Sequence, residues 1–195
     1  HNWQAMSYHP GHRLVYIPAI ETGMIYRERE RRGFRTGKWN VGVTFDNPAS
    51  KSNEGYLGSL LAWDPVRQRA AWKIAHPNVY NGGTLATAGD LVFQGNGEAE
   101  FVAYHAGTGQ VLWRYFTGTA IIAPPVTYSI RGTQYVSILA GWGGAHGLAD
   151  PPSGRAQEYL QEGILYTFKL NGMGMAPRLT KLQRETPNLK SAGLV

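Results

Sequence analysis

Histidine is the residue of this sequence best suited to hold a transition metal, and six histidines lie at positions 1, 9, 12, 76, 105 and 146. Only His9 and His12 are close enough together to suggest paired ligands, and they flank a Pro-Gly turn. Exposed histidine is common at turns, and the sequence has no cysteine to complete a zinc site. We therefore predict no metal site in this chain and interpret His9 and His12 as turn residues.

Nucleophiles and phosphate-binding loops are also lacking in the sequence. There is no Gly-x-Ser-x-Gly elbow and no glycine-rich phosphate loop. The glycines in residues 141–147 lack the strand-to-helix setting that a dinucleotide site requires. Without cysteine, the chain cannot supply a disulfide, a covalent haem attachment or a thiol nucleophile. The residues alone therefore predict no independent catalytic set.

The composition is that of a folded chain with clustered basic residues. Hydrophobic residues make up 43% of the chain and charged residues 16%, which is enough apolar content to build a core. Nineteen Lys and Arg against 13 Asp and Glu give a net charge of +6, and many of the basic groups fall in residues 27–38 and 178–190. No nucleic-acid motif accompanies them, so we predict a solvated loop, a polar tail and no nucleic-acid partner. The longest apolar runs are strand-sized, so no membrane span is predicted.

The elements that would position a site are strands arranged in repeats. Residues 58–72 align with residues 100–113, and in each copy an apolar strand runs into a turn before a second strand ends in tryptophan. Trp72 and Trp113 are 41 residues apart. A third copy starts at residues 163–172, where the chain leaves the pattern before any tryptophan.

A second repeat supplies the other half of each unit. Residues 6–18, 85–95 and 126–139 each contain two runs rich in Val, Ile, Tyr and Phe around turn residues, which predicts hairpins. Together the halves make a four-stranded antiparallel unit of about 40 residues, which is the size of a β-propeller blade. We therefore predict an all-β fold of propeller blades, with a short helix within residues 153–162.

The number of blades follows from the length of the repeat. The 41-residue period divides the chain into fewer than five units, and the loops at 20–55 and 143–162 lower that number. We predict a partial propeller of three to four blades in residues 1–170 and an extended tail in residues 171–195. Propellers have roughly four to eight blades, so further blades are expected elsewhere. The first residues show neither an initiator methionine nor a signal peptide, so we expect a fragment or a processed product.

Five phrases of the sequence follow one another in a fixed order on this repeat. They are Asn2-Trp3 with Met6-Ser-Tyr8, Asn81-Gly-Gly-Thr-Leu-Ala-Thr-Ala-Gly89 with Leu91-Val-Phe-Gln-Gly95, Thr117-Gly-Thr119 with Ala123-Pro-Pro-Val-Thr-Tyr128, Gly132-Thr-Gln-Tyr-Val136, and Leu139-Ala-Gly-Trp-Gly-Gly144. Over residues 1–170 the chain thereby resembles the C-terminal portion of the pyrroloquinoline-quinone (PQQ)-dependent alcohol dehydrogenases. The resemblance implies an eight-bladed propeller in which Trp72 and Trp113 dock between blades. An indole suits this role because it buries a large area while its N–H can donate to a backbone carbonyl of the next blade.

The resemblance also implies a cofactor site to which this chain contributes one wall. In the family, PQQ lies above a Ca²⁺ ion, an aspartate removes the hydroxyl proton of a primary alcohol as hydride passes to the quinone, and a cytochrome c accepts the electrons. By this likeness Asn2, Trp3, Gly141 and Trp142 lie close to the cofactor. An amide can bond quinone or carboxylate oxygens, and glycine lets an indole approach a planar ring. Asn81 is expected at the same mouth.

Other interpretations stay open for these residues. Asn2 and Asn81 could be satisfied loop amides, and the two tryptophans could be core residues. The alternative for the whole chain is a non-catalytic, quinoprotein-like propeller that acts as a scaffold or binding module, because fold does not determine function.

The resemblance leaves the family's central machinery outside this chain. The calcium ligands, the adjacent cysteines and the catalytic aspartate belong to family sequence upstream of Asn2. Asp64, Asp90 and Asp150 lack that context and are not nominated as the base. We therefore expect the chain to be inactive alone and its parent to be a periplasmic enzyme.

Overall fold

Thirteen β-strands dominate the part of the chain that the computed structural model describes, which is residues 1–183 without 24, 29–32, 35, 37–39, 47–55 and 145–151. They are β1 (Ser7–His9), β2 (Leu14–Ile20), β3 (Ile25–Glu28), β4 (Val43–Asp46), β5 (Gly58–Asp64), β6 (Arg69–His76), β7 (Thr84–Ala86), β8 (Leu91–Gly95), β9 (Glu100–His105), β10 (Val111–Phe116), β11 (Val126–Ile130), β12 (Thr133–Ala140) and β13 (Ile164–Lys169). A 3-10 helix covers Gly154–Glu158, inside the segment predicted to be helical. The all-β prediction is confirmed.

The strands form three antiparallel sheets and one separate hairpin. Sheet I has the order β1-β2-β5-β6, sheet II the order β7-β8-β9-β10 and sheet III the order β11-β12-β13, while β3 pairs with β4. Sheets I and II are the four-stranded units that the repeats predict. Within the described residues, sheet III stops after three strands, at the point where the sequence leaves the repeat.

A short turn joins the first two strands of each sheet and contains one residue whose backbone has the left-handed conformation. This residue is Arg13 in sheet I, Asp90 in sheet II and Arg131 in sheet III, with φ angles of 56°, 59° and 50°. Aspartate adopts this conformation more readily than most residues. The three hairpins predicted from the turn residues are therefore confirmed.

The direction of the strands gives the sheets two distinct ends. In an antiparallel sheet, the loop that leads into the first strand and the loop that leaves the second lie at the same end. We call this the upper end, and it contains residues 1–6, 77–83, 96–99, 117–125 and 141–144. The lower end holds the hairpin turns at residues 10–13, 87–90 and 131–132 and the turns at 65–68 and 106–110.

Two buried clusters join neighbouring sheets, and we call them seam one and seam two. Seam one lies between sheets I and II, and its buried members are Leu14, Tyr16, Leu60, Ala62, Val92, Val102, Tyr104 and Ala106. Seam two lies between sheets II and III, and its buried members are Phe93, Phe101, Ala103, Ile121, Val136, Ile138, Ala140 and Tyr166. Alternate residues of β9 serve opposite seams because successive side chains of a strand point to opposite faces.

The two repeated tryptophans dock at these seams in different ways. Trp72 donates from its indole Nε1 to the Ala106 carbonyl oxygen of sheet II at 2.9 Å, which confirms the predicted contact. The ring of Trp113 packs edge-on against Phe168 of sheet III, with centroids 5.1 Å apart. Within the described residues, Trp113 makes no hydrogen bond to the next sheet, so it docks there through ring packing alone.

The chain after β13 returns to the upper end as an extended segment. Leu160 donates its backbone N–H to the Thr180 carbonyl at 2.9 Å, and Tyr159 bridges to Lys181. Residues 184–195 of the predicted tail lie outside the described residues. So do most of the basic segment 27–38, His146 and Asp150. No helix in the described part of the chain is long and apolar enough to cross a membrane.

Candidate functional site

The first residues of the chain are held at the upper end by the start of β7. The Ala5 carbonyl accepts the Thr84 backbone N–H at 2.8 Å and the Thr84 hydroxyl at 3.3 Å. A Cβ on Gly83 would lie 3.0 Å from the Ala5 backbone nitrogen, so glycine permits this close approach. Asn2 is exposed and the Trp3 side chain is 48% exposed, so both remain accessible beside this anchored backbone.

Asn81 lies in the equivalent segment before β7, and its side chain is buried. Its Nδ2 donates to the Asn78 carbonyl at 3.1 Å, and its Oδ1 accepts the Gly97 backbone N–H at 3.3 Å. The amide thus braces two loops of the upper end, as the open structural interpretation describes. A direct contact between Asn81 and a cofactor stays a prediction.

A polar relay that the sequence did not reveal supports the loop beside Asn81. His76 is buried, and its Nε2 donates to Gln94 Oε1 at 3.1 Å, because Gln94 Nε2 itself donates to the Gly82 carbonyl at 3.0 Å. Burial lowers the pKa of His76, so its neutral form is favoured. Because Gln94 lies in a run of apolar strand residues, the sequence did not indicate that its side chain would bond His76 and Gly82.

Gly141 and Trp142 follow β12 and form part of an open groove. The Gly141 backbone N–H donates to the Ala120 carbonyl at 2.9 Å, and Gly141 forms a parallel bridge with Ile121. Trp142 is half-buried and packs on a small cluster that includes Ala99, Ala120 and Ala156. The groove has a volume of about 390 Å³ and is lined by Ile122, Ala123, Leu139, Ala140, Gly141, Trp142, Gly143, Gly144, Gln161 and Gly163.

The predicted site segments lie in a row along the upper end. Ala123 lines the groove, and its carbonyl oxygen is 2.7 Å from where a Cβ on Gly82 would lie. Its neighbour Pro124 is 2.8 Å from the corresponding position on Gly83, which in turn contacts Ala5. Glycines therefore bring the groove, the loop after Asn81 and the first residues of the chain together.

Among the residues that the structure describes, two buried side-chain amide atoms at the upper end have no hydrogen-bond partner. They are Gln4 Oε1, an acceptor beside Trp3, and Asn78 Nδ2, a donor on the loop before Asn81. Both side chains are at most 9% exposed. An unpaired buried amide atom carries a desolvation cost that a bound polar ligand can relieve. A flat ligand with both donors and acceptors, such as PQQ, fits this chemistry, and glycine at 141, 143 and 144 leaves room beside the indole of Trp142.

Glu98, at the upper end, has a carboxyl group with a perturbed pKa. Burial raises the pKa of Glu98, and the neighbouring Glu100 carboxylate adds to the effect. Asp64 lies at the lower end, where the backbone N–H of Arg67 and then its guanidinium hold the pKa of the carboxyl below its usual range. Asp64 Oδ1 accepts the N–H groups of Val66 and Arg67, so this side chain stabilises a turn.

Comparison with known proteins gives a consistent result. A sequence family described as "Glucose/ethanol/alcohol dehydrogenase, beta-propeller domain", abbreviated PQQ, matches residues 54–136. The quinohemoprotein alcohol dehydrogenase of Comamonas testosteroni is 44% identical over 186 residues, which is 91% of this chain and 25% of that protein. The 1-butanol dehydrogenase (cytochrome c) of Thauera butanivorans is 39% identical over 191 residues, or 93% of this chain and 27% of that protein.

Solved structures extend the similarity to the fold. The crystal structure of the Comamonas testosteroni quinohemoprotein alcohol dehydrogenase superposes with a TM-score of 0.76 at 39% identity, covering 100% of this chain and 30% of that one. A europium-containing methanol dehydrogenase superposes with a TM-score of 0.69 at 26% identity, covering 85% of this chain and 32% of that one. The chain therefore spans about a quarter to a third of the length of these relatives.

Proposed function

The chain belongs to the family of PQQ-dependent alcohol dehydrogenases as a segment of the β-propeller, and from this premise we propose that it forms one wall of the PQQ pocket in an enzyme that oxidises primary alcohols to aldehydes. The observation that carries the proposal is the row of site segments along the upper end. The first residues, the loop after Asn81 and the groove at Gly141 are distant in sequence but adjacent there.

Each proposed site residue has a task that its chemistry supports. Asn2 offers an amide donor and acceptor from an exposed position, and Trp3 and Trp142 offer flat apolar faces to a planar ring. Gly141 allows the backbone to approach that ring closely. Gln4 Oε1 and Asn78 Nδ2 add an unpaired acceptor and an unpaired donor. When bound, PQQ supplies the two-electron acceptor for the oxidation.

Asn81 has an indirect task in this proposal. Its amide braces residues 78 and 97, and the Gln94 side chain holds the adjacent Gly82 carbonyl. These bonds fix the loop that reaches Ala123 and the groove. Asn81 therefore positions the pocket wall while its own amide atoms bond the backbone.

The rest of the enzyme is proposed from the relatives. The remaining blades, the catalytic aspartate and the metal ligands would come from protein outside this chain, and the chain alone would be inactive. We propose Ca²⁺ as the metal, with a lanthanide as the alternative because a structural relative contains europium. The proposed electron acceptor is a cytochrome c, which the Thauera relative's name includes, and the proposed compartment is the periplasm.

The test is reconstitution of the intact gene product that contains this chain. The purified protein is incubated with PQQ and either Ca²⁺ or a lanthanide, and two quantities are measured: bound PQQ after gel filtration, and alcohol-dependent reduction of a dye. The expected result is PQQ-dependent activity with a primary alcohol. A product that neither binds PQQ nor reduces the dye overturns the enzyme proposal and favours the scaffold alternative.

A pair of tryptophan variants tests the pocket wall itself. Trp142→Phe is expected to weaken PQQ retention about tenfold, since a smaller ring gives up part of the stacking contact. Trp63→Phe makes the same chemical change at the lower end and is expected to leave retention unchanged. Equal retention in both variants would contradict the assignment of Trp142 to the pocket.

A further inference from the structure

The lower end of seam one brings together two histidines and an aspartate from different turns. His9 ends β1, His12 lies in the turn that follows, and Asp90 lies in the turn between β7 and β8 of the neighbouring sheet. His12 Nε2 is 3.1 Å and His9 Nε2 is 3.3 Å from Asp90 Oδ1. The potential ligand atoms of the three residues all lie within 4.8 Å of one another.

The innermost of these groups, His9, has one buried ring nitrogen without a hydrogen-bond partner. The His9 side chain is 7% exposed, and its Nε2 makes no hydrogen bond of acceptable geometry although it faces Asp90. The Asp90 side chain is 57% exposed, so the cluster opens to solvent on that side. A buried nitrogen that lacks a partner, next to a solvent-accessible carboxylate, is suited to a ligand that enters from solvent.

We propose that His9, His12 and Asp90 form a binding site for a divalent transition-metal ion of the zinc type. Two imidazole nitrogens and one carboxylate oxygen are a common donor set for this ion, with water in the open position. Ligand atoms bonded at about 2.0–2.2 Å to a tetrahedral ion lie roughly 3.3 Å from one another. The two distances to Asp90 Oδ1 already match this spacing.

Binding requires a proton to change place on His9. The backbone N–H of His12 donates to His9 Nδ1 at 3.2 Å, so the neutral ring carries its proton on Nε2. When the ion bonds Nε2, the ring remains neutral by carrying the proton on Nδ1, and the hydrogen bond within the turn is lost. The same shift is required on His12, because its Nε2 donates to Asp90 Oδ1 at 3.1 Å in the free site and must pass its proton to Nδ1 before it can bond the ion. Neither ring gains or loses a proton overall, and the metal bonds replace these hydrogen bonds.

The turns around the cluster are shaped to accommodate the two rings. A Cβ on Gly11 would lie 3.1 Å from His9 Cε1, and a Cβ on Gly107 would lie 2.8 Å from His12 Cε1. The Asp90 backbone is fixed to sheet II because its carbonyl accepts the Ala106 N–H at 2.8 Å. The ion would therefore link the first hairpin of sheet I to the turn between β7 and β8 of sheet II, which is itself bonded to Ala106.

This site differs from the sequence prediction because its third ligand is remote along the chain. His9 and His12 alone are an unremarkable turn pair, and Asp90 is 78 residues from His12. The folding of two neighbouring sheets is required to bring the carboxylate to the histidines. A fourth polar residue, His105, lies nearby, with its ring centroid 6.0 Å from that of His12, and its Nδ1 accepts the Gly107 N–H.

The test is a titration of the intact gene product, loaded with PQQ and its active-site metal, with Zn²⁺ in a calorimeter and with Co²⁺ followed by visible absorption. Wild type is expected to bind one equivalent of the metal ion. The variants Asp90→Asn and His12→Gln are expected to bind it at least about tenfold more weakly. Asparagine also adopts the left-handed conformation of Asp90, so this variant should fold. His105→Asn is the matched control, because asparagine can still accept the Gly107 N–H, and it should bind like wild type.

Thermal unfolding provides a second readout of the same site. Zn²⁺ is expected to raise the Tm of wild type and of His105→Asn, and to raise the Tm of Asp90→Asn clearly less at the same Zn²⁺ concentration, because stabilisation falls as binding to the native state weakens. Absence of Zn²⁺ binding in wild type overturns the proposal. So does equal binding by wild type and Asp90→Asn. Neither result depends on activity with alcohols, so the proposed function and the metal site are tested separately.

Discussion

Seams one and two join equivalent pairs of sheets, but the noncovalent interactions that stabilise them differ. In seam one a single carbonyl oxygen, that of Ala106, accepts the Tyr16 hydroxyl at 3.0 Å and the Trp72 indole N–H at 2.9 Å. A third polar contact crosses this seam from His76 to Gln94 at 3.1 Å. Seam one is therefore held by directional hydrogen bonds between sheets as well as by its buried apolar residues.

Seam two combines hydrogen bonds with a larger cluster of packed aromatic rings. The rings of Phe101, Trp113, Tyr115, Tyr166 and Phe168 form a continuous cluster with neighbouring centroids 5.1–6.1 Å apart. Edge-to-face pairs of this kind add to the energy of apolar burial. The Tyr166 hydroxyl donates to the Thr117 carbonyl at 2.8 Å.

The tryptophans of the two seams meet different parts of the next sheet, a turn for Trp72 and the strand residue Phe168 for Trp113. Gly109 has a φ angle of 74°, and a Cβ there would be 2.8 Å from Trp72 Cε3, so this glycine lets the turn close over the indole. Beyond β13 the chain leaves through Leu170, which is 90% exposed. A sequence repeat thus specifies where a tryptophan lies, while the next sheet determines which bonds it makes.

The strongest test of this comparison removes the central ring of seam two. Phe101 is fully buried and contacts three other aromatic rings, so Phe101→Ala is expected to lower the free energy of unfolding by about 3–5 kcal/mol. Chemical denaturation of the intact protein measures the loss. Leu112→Ala, on the adjacent strand at a half-exposed position, should cost less than about 1 kcal/mol. A similar cost for both would show that the aromatic cluster does not stabilise seam two.

A matched pair of substitutions compares the two seams directly. Trp72→Phe removes a hydrogen bond across seam one and part of the buried ring, whereas Trp113→Phe removes only ring area. The first is expected to cost about 1 kcal/mol more than the second, which is the usual net contribution of one hydrogen bond. Denaturation midpoints of the two variants measure the difference. Equal losses would mean that the indole N–H of Trp72 contributes nothing to the seam.

The comparison also shows how far the sequence alone reaches. The period of 41 residues and the turn residues were enough to predict the sheets and the hairpins, because these depend on local patterns. The docking of Trp72 was predicted only from the resemblance to the PQQ-dependent alcohol dehydrogenases. The sequence could not distinguish the hydrogen bond of Trp72 from the ring packing of Trp113, because that difference depends on the residues of the neighbouring sheet. Gln4, Asn78 and the relay from His76 to Gln94 could not be predicted, because only the juxtaposition of segments distant in sequence makes these polar atoms partners or leaves them unpaired.

Acid should weaken seam one through His76. Burial lowers the pKa of His76, so this residue contributes stability above the unfolded-state value of about 6.5 that is lost as the pH falls below it. Denaturation from about pH 7.5 to 5.5 should therefore show a loss in wild type that is smaller in His76→Gln. His105→Asn should keep the wild-type dependence. Seam two has no histidine among its described residues, so we expect acid to weaken it less. If amide exchange on β12 and β13 accelerated in acid as much as exchange in seam one, the comparison would be contradicted.

The smallest expected effect is a loss of stability in alkali, where the buried tyrosine hydroxyls of both seams ionise. Burial, and then the charge of Tyr115, raise the pKa of Tyr166 to about 12, while burial raises that of Tyr16 in seam one. The neutral phenol therefore contributes stability below about pH 10, the unfolded-state value, and this is lost as the pH rises through about 12. Tyr166→Phe should cost about 1 kcal/mol at neutral pH, the worth of its bond to Thr117. Its deficit relative to wild type should shrink as the pH rises from about 10 to 11, measured by denaturation. If the deficit stayed constant across this range, burial in seam two would not be keeping the Tyr166 hydroxyl in its neutral form. That result would contradict the raised pKa of Tyr166.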